Sequence, residues 1–406
     1  MTLKLDTTAR RSIGEPSKAS RIATAAYVLP AALLLSVALG GSARAAEPGV
    51  TCGSTVTTDV TLTADLYCPS GDGLILGSKV TLDLGGHSLI GSDSGVGVSS
   101  EFPFEGGNTI RNGTIENWAI GIRLMGIEPN PIPYVATDLV LINAPVGNYF
   151  TNGTTLQLTR VTAVDSPIRG ELGGDLAISD SSLTRSPVEV FFASATITNS
   201  KLVETFVSTT AGGELSIDSS KLDGKGTAAL GYVSETVITI TDSVVKNYAQ
   251  PISGFWGGVT LTGNKFSDMP NGVLGSITSG IESDGVSGIT GNTFIRSGVA
   301  LRGNVPMVVE NNTFRQGDVG VEFTMSDPLP GNPPQTADRS RAVGNVLVNN
   351  TGSGILTELP GLEVGGNTAK NNGGYGIYAP GAVDLGGNVA SGNALGQCVG
   401  VVCARK

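Results

Sequence analysis

One short phrase decides the fold. It reads LGGHSL (84–89), IRNGTI (110–115), LTRVTA (158–163), ISDSSL (178–183), ITNSKL (197–202) and IDSSKL (217–222). It continues as ITDSVV (240–245), LTGNKF (261–266), ITGNTF (289–294), VENNTF (309–314), VGGNTA (364–369) and LGGNVA (385–390). Most copies carry an aliphatic residue, two small polar residues, then Asn, Ser or Gly, a spacer and another apolar residue. With weaker copies around Ala144 and Asn345, most successive spacings fall between 19 and 23 residues. A fixed period of this kind identifies a repeat architecture.

A unit this short cannot hold a pair of helices. Val/Ile/Thr alternation and Gly-Asn turns replace the spaced leucines of a leucine-rich repeat, and no 3.6-residue apolar stripe appears. The reading is an all-β parallel solenoid with two or three short strands per coil. About 13 coils, stacked at the ordinary interstrand distance, give a rod on the order of 60 Å long. The corner explains the Asn, because Asn, Gly and Asp tolerate the left-handed backbone region. Asn345, Asn367 and Asn388, with Asn350, Asn372 and Asn393 five residues later, predict two ladders of stacked amides that satisfy buried turn groups. A second strand recurs as GIRL (121–124), GVAL (298–301), GVEF (320–323), GIL (354–356) and GIY (376–378). In it the Ile or Val points inward and the next residue outward.

The string TLDLGGHSLIG (81–91) resembles the opening coil of right-handed parallel β-helix proteins of the pectate-lyase-like superfamily. The tail GNTAKNNGGYGIYAPGAVDLGGN, with the following CVGVVC, is similar to the end of secreted actinobacterial members. The resemblance implies a single-stranded right-handed parallel β-helix over nearly the whole mature chain. It leaves the activity open, since this superfamily holds lyases, hydrolases, epimerases and proteins without known activity.

Arg10, Arg11, Lys18 and Arg21 precede an apolar run from Ile22 to Leu39 and the triplet Ala43-Arg44-Ala45. That pattern is a secretory signal over residues 1–45. The remainder divides into an N-terminal cap (46–80), the β-helix (81–395) and a C-terminal cap (396–406). Beyond residue 46 the chain keeps 19 basic against 33 acidic residues, a net charge near −14. Such acidity argues against nucleic acid or an anionic membrane as partner. A polyanionic substrate would need a local basic cluster or bound Ca²⁺. The expected partner is an extracellular polysaccharide or cell-wall glycan, met by a secreted monomer. Four cysteines form two local pairs, Cys52/Cys68 and Cys398/Cys403. Export permits disulfides, and each pair brackets an end where a solenoid needs capping.

His87, the one histidine, holds the place that Asn388 holds in its own copy and reads as a corner residue rather than a general base. A single His also excludes a Ser–His–Asp relay elsewhere and any multi-His metal site. The Asp-Pro-His-Asp string of mannuronan epimerases is absent, as are the Asn-Thr-Asp, paired Asp and Gly-His-Gly motifs of polygalacturonases. Lyases of this fold abstract a proton with Lys or Arg and neutralise the uronate with Ca²⁺, Arg or Asn. No local string marks such a site, because its members come from different coils.

Strand register offers candidates instead. Arg123, Arg169, Glu171, Glu189 and Glu204 are read as outward and potentially catalytic. Tyr232 and Trp256, each beside glycine, are read as a sugar-stacking surface, whereas most Phe residues are assigned to interior stacking. Two insertions, 125–137 and 324–341, leave after the same strand of their coils, and other excursions occupy about 91–107 and 268–286. Long loops on a rigid scaffold commonly carry binding. The expectation is a polysaccharide lyase-like or glycoside-cleaving enzyme, with a non-catalytic glycan-binding or structural surface protein as the alternative.

Overall fold

In this computed structural model, residues 50–404 are described, apart from 101–106, 127–132, 151–154, 228–229, 235–236, 250–251, 256–257, 270–280, 284–286, 303–305, 325–336 and 338. The expected signal segment lies outside the described residues. Among these residues there is no helix, and hence none long and apolar enough to cross a membrane.

Three short strands make a turn, as in Asp175–Ser179, Ser182–Thr184 and Val188–Phe191. Each pairs in parallel with its counterpart one turn on: Ala195–Thr198, Lys201–Val203 and Val207–Thr210. Stacked, they give three faces, called here first, second and third in chain order. The third face is a continuous sheet of sixteen strands, from Thr55–Val56 to Gly396–Val399. The first two faces merge where Thr109–Glu116 and Tyr134–Ile142 run through the corner and pair on both. The chain is thus an all-β parallel solenoid with a disulfide at each end, Cys52–Cys68 and Cys398–Cys403.

The interior follows from strand alternation. Ile178, Leu183 and Val188 are buried from three sides in one turn, and their equivalents repeat along the rod. Phe266, Phe294 and Phe314, the last residues of three successive repeat phrases, stack inside with centroids 5.0 and 4.6 Å apart. The inward half of the second-strand reading holds, since Ile122, Val299, Val321, Ile355 and Ile377 all point into the core, but the following Ala300 and Glu322 are buried rather than exposed.

The corner chemistry differs from the sequence expectation in one respect. The left-handed residue is the third of the phrase, not the fourth: Asp180, Asn199 and Asp242 have φ of 51°, 45° and 46°, and glycines take the role at 263, 291, 344, 366 and 387. The fourth residue turns inward. Its side-chain oxygen accepts the backbone N–H of the corresponding residue one turn earlier. This runs unbroken from Val161 N–H to Ser181 Oγ through serines to Ser243, then through asparagines to Asn388. Asn264 to Asn367 also donate Nδ2 to the next asparagine's Oδ1. Asn350, Asn372 and Asn393 form the second ladder at the following corner. The weak copy around Ala144 is displaced. Asp138, with φ of 56°, makes that turn's first corner, and Ala144 belongs to the second, where its N–H meets Ser166 Oγ. His87 is not buried like Asn388. Its ring is 35% exposed, with Nδ1 3.4 Å from Asp65 of the preceding turn.

Candidate functional site

The third face brings most of the proposed residues into register. Arg123, Gly147, Arg169, Glu189 and Ser208 occupy one outward column on successive strands. After a register shift, the column resumes at Tyr232, paired with Ser253. The neighbouring outward column holds Met125, Glu171, Phe191 and Thr210, the backbone of Tyr149 pairing between the first two. Tyr232 therefore lies on the right face, although its side chain is outside the described residues, and Trp256 lies outside them altogether.

Arg169 Nε donates to Glu189 Oε2 at 2.7 Å, both side chains remaining well exposed. Glu171 sits two residues beyond Arg169 on the same strand and is half-buried. The strand pairing offsets Glu171 from Glu189 by one rung and two residues, which separates their Cα atoms by about 8 Å at ordinary parallel-strand dimensions. Arg123 is separated from Arg169 by the buried Gly147. Two arginines on adjacent rungs would repel each other, so the glycine rung spaces them by roughly 10 Å. Arg123 Nε is enclosed by protein and has no hydrogen-bond partner among the described residues.

Two corrections follow. Glu204 does not join this group. It has φ of 53° and sits at the corner after Lys201–Val203, in line with Asp165 and Arg185. There Arg185 donates to Asp165 at 2.7 and 2.8 Å. The Arg185 hydrogen bonds hold the Asp165 carboxyl below its usual range, and Asp165 together with the charge of Glu204 raises Arg185 in turn. The second narrows the reading that most Phe residues stack inside: Phe191 and Phe192 are exceptions. They are 45% and 54% exposed, in edge contact at 4.5 Å. Alternation carried the missed signal: Val188 and Val190 fill the core, so Phe191 must face out. Leu172, one rung earlier and beside Glu171, is exposed as well and donates its N–H to Phe191 O.

Both long insertions follow strands of this face, Ile120–Gly126 and Val321–Thr324. Their central parts, 127–132 and 325–336, lie outside the described residues, while Tyr134 to Thr137 already belong to the next strand. Among the described residues, no three His, Cys, Asp or Glu side chains converge to hold a metal ion.

The assembly of three parallel faces around an aliphatic core defines a parallel β-helix protein. The family described as right handed beta helix region matches residues 194–394. Similar solved structures include the catalytic unit of a thermostable GH87 α-1,3-glucanase from Streptomyces thermodiastaticus. It is 15% identical, with a TM-score of 0.39 over 86% of this chain and 65% of that one. Tailspike protein 3 of bacteriophage CBA120 is 12% identical, with a TM-score of 0.39 over 84% of this chain and 55% of that one. A periplasmic alginate epimerase is 12% identical, with a TM-score of 0.28 over 85% of each chain. This chain therefore spans less than two thirds of the glucanase unit and little more than half of the tailspike. No curated protein matches the sequence.

Proposed function

We propose that the protein is secreted and engages an extracellular polysaccharide on the third face, around Arg169, Glu171, Glu189, Phe191 and Phe192. The observation that carries this is the exposed Phe191–Phe192 pair held one rung from Glu171 and beside the Arg169–Glu189 pair. An aromatic surface covers the apolar face of a sugar ring, while adjacent charged groups take its hydroxyls by charge-assisted hydrogen bonds. Secretion rests on the N-terminal export pattern and the two disulfides.

For cleavage, the candidate carboxyl pair is Glu171 and Glu189, whose Cα atoms the strand pairing sets about 8 Å apart. Carboxyl groups about 6.5–9.5 Å apart leave room for a water and suit single-displacement, inverting hydrolysis. Glu189, oriented by Arg169, would activate that water. Glu171 would protonate the departing oxygen. A β-elimination route would instead draw on Arg123, with Ca²⁺ or Arg169 neutralising a uronate. A second reading is binding without turnover, favoured because Glu189 is already engaged by Arg169.

Incubation with a panel of neutral and uronic-acid polysaccharides, with Ca²⁺ or a chelator, separates these routes. Hydrolysis predicts new reducing ends without unsaturated-uronate absorbance, abolished in Glu171→Gln and Glu189→Gln. Elimination predicts the absorbance. Retention on insoluble glycan with neither product assigns binding alone, and no interaction with any glycan defeats the proposal.

A further inference from the structure

The chain is acidic, yet five of its ten lysines fall between residues 201 and 265. They gather on the second face and its corner, away from the Arg169 column. Lys201, Lys221 and Lys265 stand in one outward column, Lys221 pairing with Lys201 and, through Val244, with Lys265. All three are exposed, each in a strand whose next residue is buried. At ordinary strand spacing they lie at zero, about 5 and about 14 Å along the rod.

Asp223 organises the two remaining lysines, with Lys225 Nζ at 3.1 Å and Lys246 Nζ at 3.3 Å from its Oδ2. Burial opposes ionisation of Asp223, but hydrogen bonds from Asn247, Lys225 and Lys246 outweigh it and hold the carboxyl far below its usual range. Among the described residues, no carboxylate lies within ion-pair distance of Lys201, Lys221 or Lys265. The arginines at the corners are treated differently: Arg160, Arg185 and Arg296 each sit on an aspartate of an adjacent turn. Like charges facing each other on neighbouring strands are destabilising, so the lysine column costs stability unless something neutralises it. A concavity of about 460 Å³ is lined by Lys201, Lys221, Lys225 and Lys246 together with Val244 and the lysine-paired Asp223, and Lys265 continues the column beyond it.

We propose that this face binds a linear anionic polysaccharide lying along the rod, its acidic groups over Lys201, Lys221 and Lys265. A flexible chain with one acid per sugar can match charges spaced by single rungs. A rigid duplex nucleic acid would instead extend its phosphates past the lysine column over the acidic remainder of the surface. This site is independent of the aromatic site on the third face.

The test is electrophoresis of the full chain through gels containing polygalacturonate, dextran sulfate, neutral dextran or duplex DNA, at low and physiological salt. The parent should be retarded by at least one of the two charged polysaccharides, more at low salt, and not by neutral dextran. Retention by polygalacturonate assigns carboxylates; retention by dextran sulfate alone assigns sulfates. Lys221→Glu should weaken binding at least tenfold, whereas Lys370→Glu, with the same change in net charge, should stay within twofold. Lys221→Gln and Lys265→Gln, checked for an unchanged unfolding midpoint, keep the test decisive if the charge reversal disturbs folding. Absence of retardation, equal effects at Lys221 and Lys370, or tighter retention by duplex DNA would overturn the proposal.

Discussion

Arg169 and Glu189 are joined across adjacent rungs of the third face by a 2.7 Å hydrogen bond, yet their side chains remain 52% and 36% exposed. Exposed pairs of this kind contribute only about 0–1 kcal/mol. Arg169→Ala and Glu189→Gln should therefore unfold within about 1 kcal/mol of the parent in urea titrations. Any larger loss of glycan binding in these variants then reports on the site. A loss well beyond 1 kcal/mol would reassign the pair to the scaffold.

The buried amide ladder should behave in the opposite way. Asn367 is fully buried; its Oδ1 accepts from Asn345 N–H at 2.9 Å and Nδ2 at 3.1 Å, and its Nδ2 donates to Ala342 O at 2.8 Å. Leaving such groups unsatisfied costs about 1–3 kcal/mol each. Asn367→Ala should thus be markedly destabilised by denaturant titration, with unfolding at lower concentration than for an exposed strand control such as Gln157→Ala. Equal midpoints would show that the ladder adds nothing.

Phe294 lies between Phe266 and Phe314 with nearly parallel rings. Truncation of a fully buried Phe leaves a cavity and costs about 3–5 kcal/mol. Phe294→Leu should recover part of that loss by filling much of the space. Calorimetry that ranked Phe294→Leu below Phe294→Ala would contradict the stacked core.

Acid should weaken the corners before it touches the core. Hydrogen bonds from Arg185 and Arg296 lower the carboxyls of Asp165 and Asp268 below 3.8. Their folded values are depressed, so the stability they add is present above the unfolded value and lost as pH falls through the folded one. The melting temperature should stay level from neutral pH to about 5 and fall below about 4, less steeply in Arg296→Gln. A fall that begins near pH 6 would point to some other group.

Fold was legible because each corner repeats a constrained chemistry at a fixed interval. The distribution of roles within the corner was not. Third and fourth positions both favour Asn, Gly and Ser, one for a left-handed backbone and the other for an inward hydrogen bond. Composition alone cannot say which residue does which, as Asp180 and Ser181 illustrate. The Arg169–Glu189 register followed from counting along equal coils, and strand alternation supported it. Glu204 was misplaced because alternation was counted through a corner, where the left-handed residue breaks the period. Phe191 was not singled out because the Phe residues were read together, whereas its outward phase on the strand sets it apart. The lysine column spans three turns of unequal length, from Lys201 to Lys265, so its alignment emerges only from strand pairing.

The central claim, a glycan held on the third face by Phe191 and Phe192, is tested most directly by titrating the parent and Phe191→Ala/Phe192→Ala with soluble polysaccharide fragments in a calorimeter. Both side chains are about half exposed, so the double variant should keep its unfolding midpoint. The account predicts saturable binding by the parent and at least tenfold weaker binding by the variant. Equal affinity of the two proteins for a fragment the parent binds would contradict it.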